Sequence, residues 1–308
     1  MKIHTYRHFI AHLLIFSVLL TSCSGAKTSV ADGQLARGEY FDASKTYRKI
    51  YNKLDSREHR GQRAEIAYKM AECYRYLGQD ARAATAYQNA LRYGYPDSSI
   101  MLRLAQAQHG QGAYPKAIMS YEEYLRLFPE DNIAKRQLAG ARKAENFKKN
   151  KTRYIVKNAK SLNTRRSDFA PIFNGDILYF STTNEKVKGN SRSEITGMKR
   201  SDIWMTKKNE YGTWQRPEPV EGELNTEWDE GICSFSPDGS TMYLTRAERN
   251  QSADTGTSIY TSRRSDAQWS APERLNITAD TLSSYGHPAV SPSGEWLYFT
   301  SDMPGHGG

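Results

Sequence analysis

The chain has 308 residues, 38% of them hydrophobic and 25% charged, with three cysteines and a formal net charge of +9. The apolar share excludes a disordered polymer, the few cysteines exclude a disulfide-stapled miniprotein, and a mean hydropathy of −0.74 excludes a multi-pass membrane protein. Residues 1–22 carry +2, residues 23–150 carry +8 and residues 151–308 carry −1, so the basicity belongs to the first half. No recognisable nucleic-acid module gathers that excess, and a nucleic-acid partner is not expected.

At the N-terminus, Lys2 and Arg7 stand with no acid, and an apolar run from Phe9 to Leu20 is interrupted only by His12 and Ser17. That run is too short to span a bilayer and has the length of a signal peptide. The following Leu20-Thr21-Ser22-Cys23 resembles the lipobox of bacterial lipoproteins. It implies a signal peptide over 1–22, lipidation of Cys23, and a tether over 23–32. A chance cysteine behind a plain secretory signal fits the register of these three parts less well. Acyl chains contribute about 0.8 kcal/mol per buried methylene, and two or more anchor stably. Ser24 to Thr28 hold no acidic cluster resembling a surface-export signal, so the expected location is the outer membrane, lipid-anchored, facing the periplasm.

Residues 33–147 repeat. Gly78 and Gly112 stand one repeat apart, and at the same step Ala71 matches Ala105, Ala83 matches Ala117, Tyr87 matches Tyr121 and Leu91 matches Leu125. This period marks a solenoid of helical hairpins. An earlier copy with Gly38, Tyr40, Ala43 and Tyr47 stands farther back than one such step, and the excess predicts an insertion of six in Asp55–Gln62. Ala134, Leu138 and Ala141 or Arg142 predict a closing helix over Asp131–Phe147. The pattern resembles tetratricopeptide repeats (TPR), in which a small residue on helix A admits helix B, a glycine sits near the turn, and an alanine on B fills the crossing. Pro129 stands where that family ends its second helix. The resemblance implies a concave protein-binding groove lined from the A helices by Tyr68, Glu72, Arg75, Tyr76, Leu102, Gln106 and His109. Taken singly, Tyr68 and Leu102 read as packing residues and the charges as solvated. Cys73 reads as a small buried hydrophobe.

From residue 154 the helical spacing gives way to strand signals. Residues 170–181, 235–245 and 290–300 each read as strand, tight turn and strand, with Asp238-Gly239 and Ser293-Gly294 at two of the turns. Asp202-Ile203-Trp204 returns as Ser258-Ile259-Tyr260, and Trp214 with Pro217 returns as Trp269 with Pro272. Their separations agree, to within one position, with that of Gly239 and Gly294. This resembles the TolB-type, WD-like β-propeller. The expected fold class is therefore α + β and multidomain, a TPR α-solenoid followed by an incomplete TolB-like β-propeller over 154–308. Closed propellers hold about four to eight blades, so the chain is expected to be the N-terminal part of a longer protein.

No Gly-x-Ser-x-Gly elbow, His-Glu-x-x-His, P-loop or Cys-x-x-Cys occurs. No catalytic residue, metal or cofactor is expected, and the chain reads as non-enzymatic. His287 and His306, with Asp302 nearby, lack ligand spacing and read as structural or surface residues. Asp238-Gly239 reads as a hairpin turn rather than a calcium loop. Cys73 and Cys233 could join only if the two domains packed closely.

The order lipobox, TPR, propeller resembles the PorE-like, OmpA-family lipoproteins of Bacteroidetes, associated with the type IX secretion system. That resemblance implies a non-enzymatic periplasmic scaffold linking a secretion complex to the envelope. Its partners would be secretion-system or envelope proteins, the outer membrane through the anchor, and peptidoglycan only through a downstream OmpA-like domain. Two alternatives remain open: the propeller of a larger peptidase-type enzyme, and a surface glycan- or nutrient-binding lipoprotein.

Overall fold

The computed structural model describes residues 28–150, 152–247, 256–266, 268–280 and 282–305. The expected signal segment, Cys23 and His306 lie outside the described residues. The chain divides into two compact units: the described residues up to Ile155 with Glu194–Gly197, and Val156–Ser193 with Met198 onward.

The first unit is helical, with α1 (28–36), α2 (Tyr40–Tyr51), α3 (Arg60–Tyr76), α4 (Asp80–Arg92), α5 (Ile100–Gly110), α6 (Tyr114–Leu127) and α7 (Asn132–Lys149). From α2 onward each helix packs on the next. The turns after α1, α3 and α5 share one geometry, with Gly38, Gly78 and Gly112 at φ of +74°, +64° and +79°. A β-carbon disfavours that conformation by about 1–2 kcal/mol, which explains glycine at each. After α3 the amide of Gly78 donates to the Arg75 carbonyl (3.0 Å) and that of Gln79 to the Tyr74 carbonyl (2.8 Å). These bonds satisfy carbonyls that a helix end otherwise leaves unpaired.

Alanines set the distance between helices. Ala31, Ala71 and Ala105 on the first helices, and Ala43, Ala83 and Ala117 on the second, are all 0% exposed. Tyr47, Tyr87 and Tyr121 fill the spaces beside them and are equally enclosed. Extra methylenes at the alanine positions would cost about 1–3 kcal/mol through overpacking. The helix α1 takes in residues 28–32, which the sequence assigns to the tether. Ala31 is buried there, and the Asp32 carboxylate accepts hydrogen bonds from Tyr47 (2.5 Å) and Lys69 (2.9 Å), so this segment gains more from packing than from remaining a linker. The connection between α2 and α3, residues 52–59, holds the extra length. On α7, Ala134, Leu138 and Ala141 are buried, and Asp131 caps the helix by accepting from the amides of Ile133 and Ala134, both at 2.9 Å.

Among the described residues the second unit forms three sheets. The first runs β1 (Asp168–Asn174), β2 (Ile177–Thr182), β3 (Asp202–Lys207) and β4 (Glu218–Pro219). The next runs β5 (Asp229–Phe235), β6 (Thr241–Ala247), β7 (Thr257–Ser265) and β8 (Gln268–Trp269), with β9 (Glu273–Arg274) also on β7. The last is the hairpin β10 (Tyr285–Val290) and β11 (Leu297–Ser301). All these strand pairs are antiparallel.

A recurring bulge ties the sheets into one pattern. Ala170, Ile232 and His287 take left-handed φ values of +51°, +42° and +54°, each at a register shift in the first strand of its hairpin. Beyond the shift the register repeats, Ile172 facing Tyr179, Ser234 facing Tyr243, and Ala289 facing Tyr298. Left-handed φ is uncommon outside glycine, so three bulges at matching places define the repeat more firmly than residue identities do. Tyr179, Ile203, Val220 and Leu224 of the first sheet region pack with Cys233, Met242, Leu244, Tyr260 and Trp269 of the second. The whole chain is thus α + β, a helical repeat stack and a set of antiparallel sheets. Cys73 and Cys233 are buried free thiols, each pushed up to about 12 by burial.

Candidate protein-binding face of the helical unit

The A-type helices are α1, α3, α5 and α7, and the seven residues that the TPR resemblance implies for the groove lie on α3 (Tyr68, Glu72, Arg75, Tyr76) and α5 (Leu102, Gln106, His109). On α3, Tyr76 is 53% exposed and stacks on Tyr40 with ring centres 4.3 Å apart, while the Arg75 guanidinium lies over the Tyr76 ring at 4.1 Å. Tyr68 is half-buried and stacks on Tyr95 at 4.3 Å. Glu72 lies between them. Its carboxylate accepts from Arg75 Nε (3.2 Å) and Nη2 (2.7 Å), and also from the Tyr87 hydroxyl. Burial, followed by the Glu72 carboxylate, pushes the Tyr87 phenol above its ordinary range. Burial opposes charge on Arg75, but Glu72 outweighs it and holds the guanidinium protonated.

On α5 the expected residues serve largely as packing. Leu102 is half-buried against Ala105, Ala117, Tyr121, Leu138 and Ala141. Gln106 donates to Gln137 of α7 at 3.1 Å. His109 meets Tyr114 and Tyr121 edge-on at 5.6 and 6.0 Å, with Nδ1 3.4 Å from the Tyr121 hydroxyl. The face therefore brings together one open aromatic platform, one internal ion pair and a row of inter-helix packing groups.

Further residues belong to this face. Lys69 joins Asp32 of α1 (2.9 Å) and Glu65 of its own helix (2.9 Å). Burial opposes both charges, yet the contacts hold Asp32 below and Lys69 above the usual values. The pairs Asp32–Lys69 and Gln106–Gln137 are 37 and 31 residues apart, the difference being the six-residue insertion. The shorter step also carries Glu72 to Arg103, but Glu72 is already occupied. The Arg103 guanidinium, within electrostatic reach of Tyr68 and Tyr87, has no hydrogen bond or ion pair among the described residues. That step is the sequence signal that finds Arg103.

In the β unit a cavity of about 320 Å³ is lined by Ser161–Thr164, Phe180, Asn184, Trp204 and Arg216. Among the described residues no group of three or more His, Cys, Asp or Glu is placed to hold a metal, and no helix is long and apolar enough to cross a membrane. Asp238 spends its carboxylate inside its own turn, accepting from Ser236 and Ser240, which holds it down at about 2.

Residues 65–98 and 100–131 match the tetratricopeptide repeat family. The helical unit carries TPR repeats. Its TPR stack is similar to the first TPR of Spaghetti (RPAP3) bound to the HSP90 peptide SRMEEVD, at 18% identity and a TM-score of 0.34, covering 40% of this chain and 93% of that one. It is similar to the myosin chaperone UNC-45 from C. elegans in complex with a Hsp90 peptide, at 20% identity and 0.36, covering 41% of this chain and 14% of that one. It is also similar to the Yersinia enterocolitica type III secretion chaperone SycD in complex with a peptide of the translocator YopD, at 17% identity and 0.31, covering 41% and 94%. No curated protein matches the sequence.

Proposed function

We propose that the chain is a non-enzymatic scaffold lipoprotein, held in the outer membrane through an acylated Cys23 and facing the periplasm, that links a type IX protein secretion complex to the envelope. Protein binding rests on one observation: the TPR repeats present an open aromatic platform, Tyr40 of α2 stacked on Tyr76 of α3, together with Arg103 of α5, whose guanidinium has no hydrogen bond or ion pair among the described residues. A planar guanidinium with free donors favours carboxylates, so the ligand class is a carboxylate-bearing segment of a secretion or envelope protein lying across α3 and α5. The β unit supplies a second surface and is read as part of a TolB-like propeller. Three sheets sharing one bulge and one register support that reading. The lipobox and the order of segments support the anchor and the secretion role through their resemblance to PorE-like lipoproteins.

The test pairs Arg103→Glu with Tyr76→Ala, which should abolish co-purification of envelope partners and leave the helical melt in place. Partners retained at wild-type yield in both low and physiological salt would remove this face from consideration and favour the β unit. Cys23→Ala should move the protein from the outer-membrane fraction to the soluble periplasm.

A further inference from the structure

The cavity of about 320 Å³ in the β unit is built by the first sheet and its own connections, all within residues 161–217. Its floor is an aromatic pair. Phe180 of β2 and Trp204 of β3 are direct register partners, so both side chains stand on the same face of the sheet. Their neighbours Tyr179 and Ile203 point the other way, into the apolar core. One wall is the segment 161–164, and local bonds fix it in place. The Leu162 amide donates to the Ala159 carbonyl at 2.8 Å, and the Thr164 hydroxyl donates to the Asp168 carboxylate at 3.0 Å. That carboxylate also accepts from Thr182 Oγ1 of β2 at 2.7 Å, which ties the wall to the sheet.

The polar groups of the lining are mainly donors that the fold leaves unspent. Asn184 is 7% exposed, and its Oδ1 accepts the Lys186 amide at 2.7 Å, which leaves Nδ2 without a hydrogen bond among the described residues. The Trp204 indole Nε1 is buried and has no partner there either. The Lys186 ammonium and the Arg216 guanidinium, both on exposed residues, make no hydrogen bond or ion pair among the described residues. Glu185 is the carboxylate of the lining, and Arg166 and Arg192 already occupy it. The hydrogen bond from Arg166 holds it below the usual carboxylate range. The cavity therefore keeps two uncommitted cations beside a buried amide donor and an aromatic floor.

We propose that this cavity binds a small acidic saccharide, with the ring on Phe180 and Trp204, the carboxylate against Arg216 and Lys186, and the hydroxyls against Asn184, Ser161 and Asn163. Small-molecule sites combine an apolar, aromatic lining with a few placed polar groups, and the aromatic pair suits the C–H face of a sugar ring. A guanidinium with free donors selects a carboxylate. The amide and hydroxyl side chains select a hydroxylated body, because an acid built only of hydrocarbon would leave them unpaired. The volume stands at the low end of the range of about 300–1,000 Å³ for such sites, which limits the ligand to one or two rings. The site lies wholly in the β unit and is independent of the TPR face.

Titration calorimetry on the full chain tests it with three probes: glucuronic acid, glucose and phenylacetic acid. Glucuronic acid should bind saturably with a dissociation constant of about 1 mM or tighter, the scale that its size allows. Glucose lacks the carboxylate and phenylacetic acid lacks the hydroxyls, so each should bind roughly tenfold more weakly or worse. Arg216→Glu changes an exposed side chain that has no bond to lose, so it should keep the thermal melt of the wild type and weaken glucuronic acid roughly tenfold or more. Arg216→Lys should recover part of that loss. Arg274→Glu, on the exposed strand β9 and outside the lining, should bind as the wild type does. Absence of saturable glucuronic acid binding overturns the proposal. So does glucose or phenylacetic acid that binds equally well, or an Arg216→Glu chain that binds as the wild type does.

Discussion

Replacing Tyr87 by phenylalanine deletes one hydroxyl from a ring that is 0% exposed and leaves its packing volume intact. The hydroxyl donates to the Glu72 carboxylate, which keeps two bonds from Arg75 when the phenol is gone. A hydrogen bond to a charged group contributes about 1.5–3 kcal/mol, and the remaining guanidinium places the loss near the lower end. Tyr47 is the matching residue one repeat earlier. It donates to Asp32 at 2.5 Å, and Asp32 likewise keeps Lys69, so Tyr47→Phe should cost about the same 1.5 kcal/mol. Tyr121, one repeat later, has only His109 Nδ1 at 3.4 Å. Its hydroxyl is desolvated with little return, and Tyr121→Phe should fall within about 0.5 kcal/mol of the wild type. One substitution at three equivalent positions therefore predicts two large losses and one small one. Urea unfolding followed by circular dichroism at the helical band reads them, compared at unchanged m-value. Equal losses at all three sites, or the largest at Tyr121, would refute the claim that the carboxylate partner sets the cost.

Burial lifts Asp202 to about 6 and Glu230 to about 7, although Lys188 and Arg246 favour their charged forms. The folded β unit then holds more protons than the unfolded chain between roughly pH 4 and pH 7, so its stability should fall by up to about 6 kcal/mol, at about 1.4 kcal/mol for each pH unit by which a carboxyl is raised, as pH rises through that window. Denaturant melts that strengthen with rising pH there would contradict it. Gly78→Ala puts a β-carbon into open space at φ +64° and should cost about 1–2 kcal/mol, whereas Gly222→Ala drives one into the Trp269 carbonyl oxygen and should cost about 3 kcal/mol or more. Equal losses in thermal melts would dismiss the steric difference. A fragment ending at Asn150 should melt cooperatively, because TPR repeats draw stability from their neighbours, while the β unit alone should self-associate through Phe173, Trp296 and Tyr298. A monomeric β fragment in light scattering would show that these exposed aromatic side chains do not drive association.

The helical repeat is legible because its signals are local. A glycine forced to positive φ, an alanine at a crossing and a tyrosine one turn later recur at a fixed step, and each has a reason that does not depend on the rest of the chain. The segment 28–32 reads as tether for the complementary reason. Its helix is secured by Tyr47 and Lys69, 15 and 37 residues away from Asp32. In the β unit the hairpins can be read from their turns and alternation. The bulges cannot, since Ala170, Ile232 and His287 share no chemistry. What they share is a left-handed backbone at the register shift, and at two of the three the bulge amide donates to a hydroxyl of the preceding sheet, Ser181 for Ile232 and Thr245 for His287.

On the TPR face, the repeat pattern supplies positions and the structure supplies partners, and the two answer different questions. Arg75 occupies a groove position, yet Glu72 and Tyr76 hold it in place, so its charge is largely committed before a ligand arrives. Arg103 stands one position beyond Leu102, outside the expected set. Its importance arises from a competition: Glu72 can satisfy Arg75, on the next turn of its own helix, or Arg103, one repeat step ahead on α5, and it takes the nearer. Proximity along a single helix fixes that choice, since the shorter link leaves less side-chain freedom to lose. The cation left over is then available for a partner, and a sequence pattern that counts charges without assigning them to one another has no means of telling the two arginines apart.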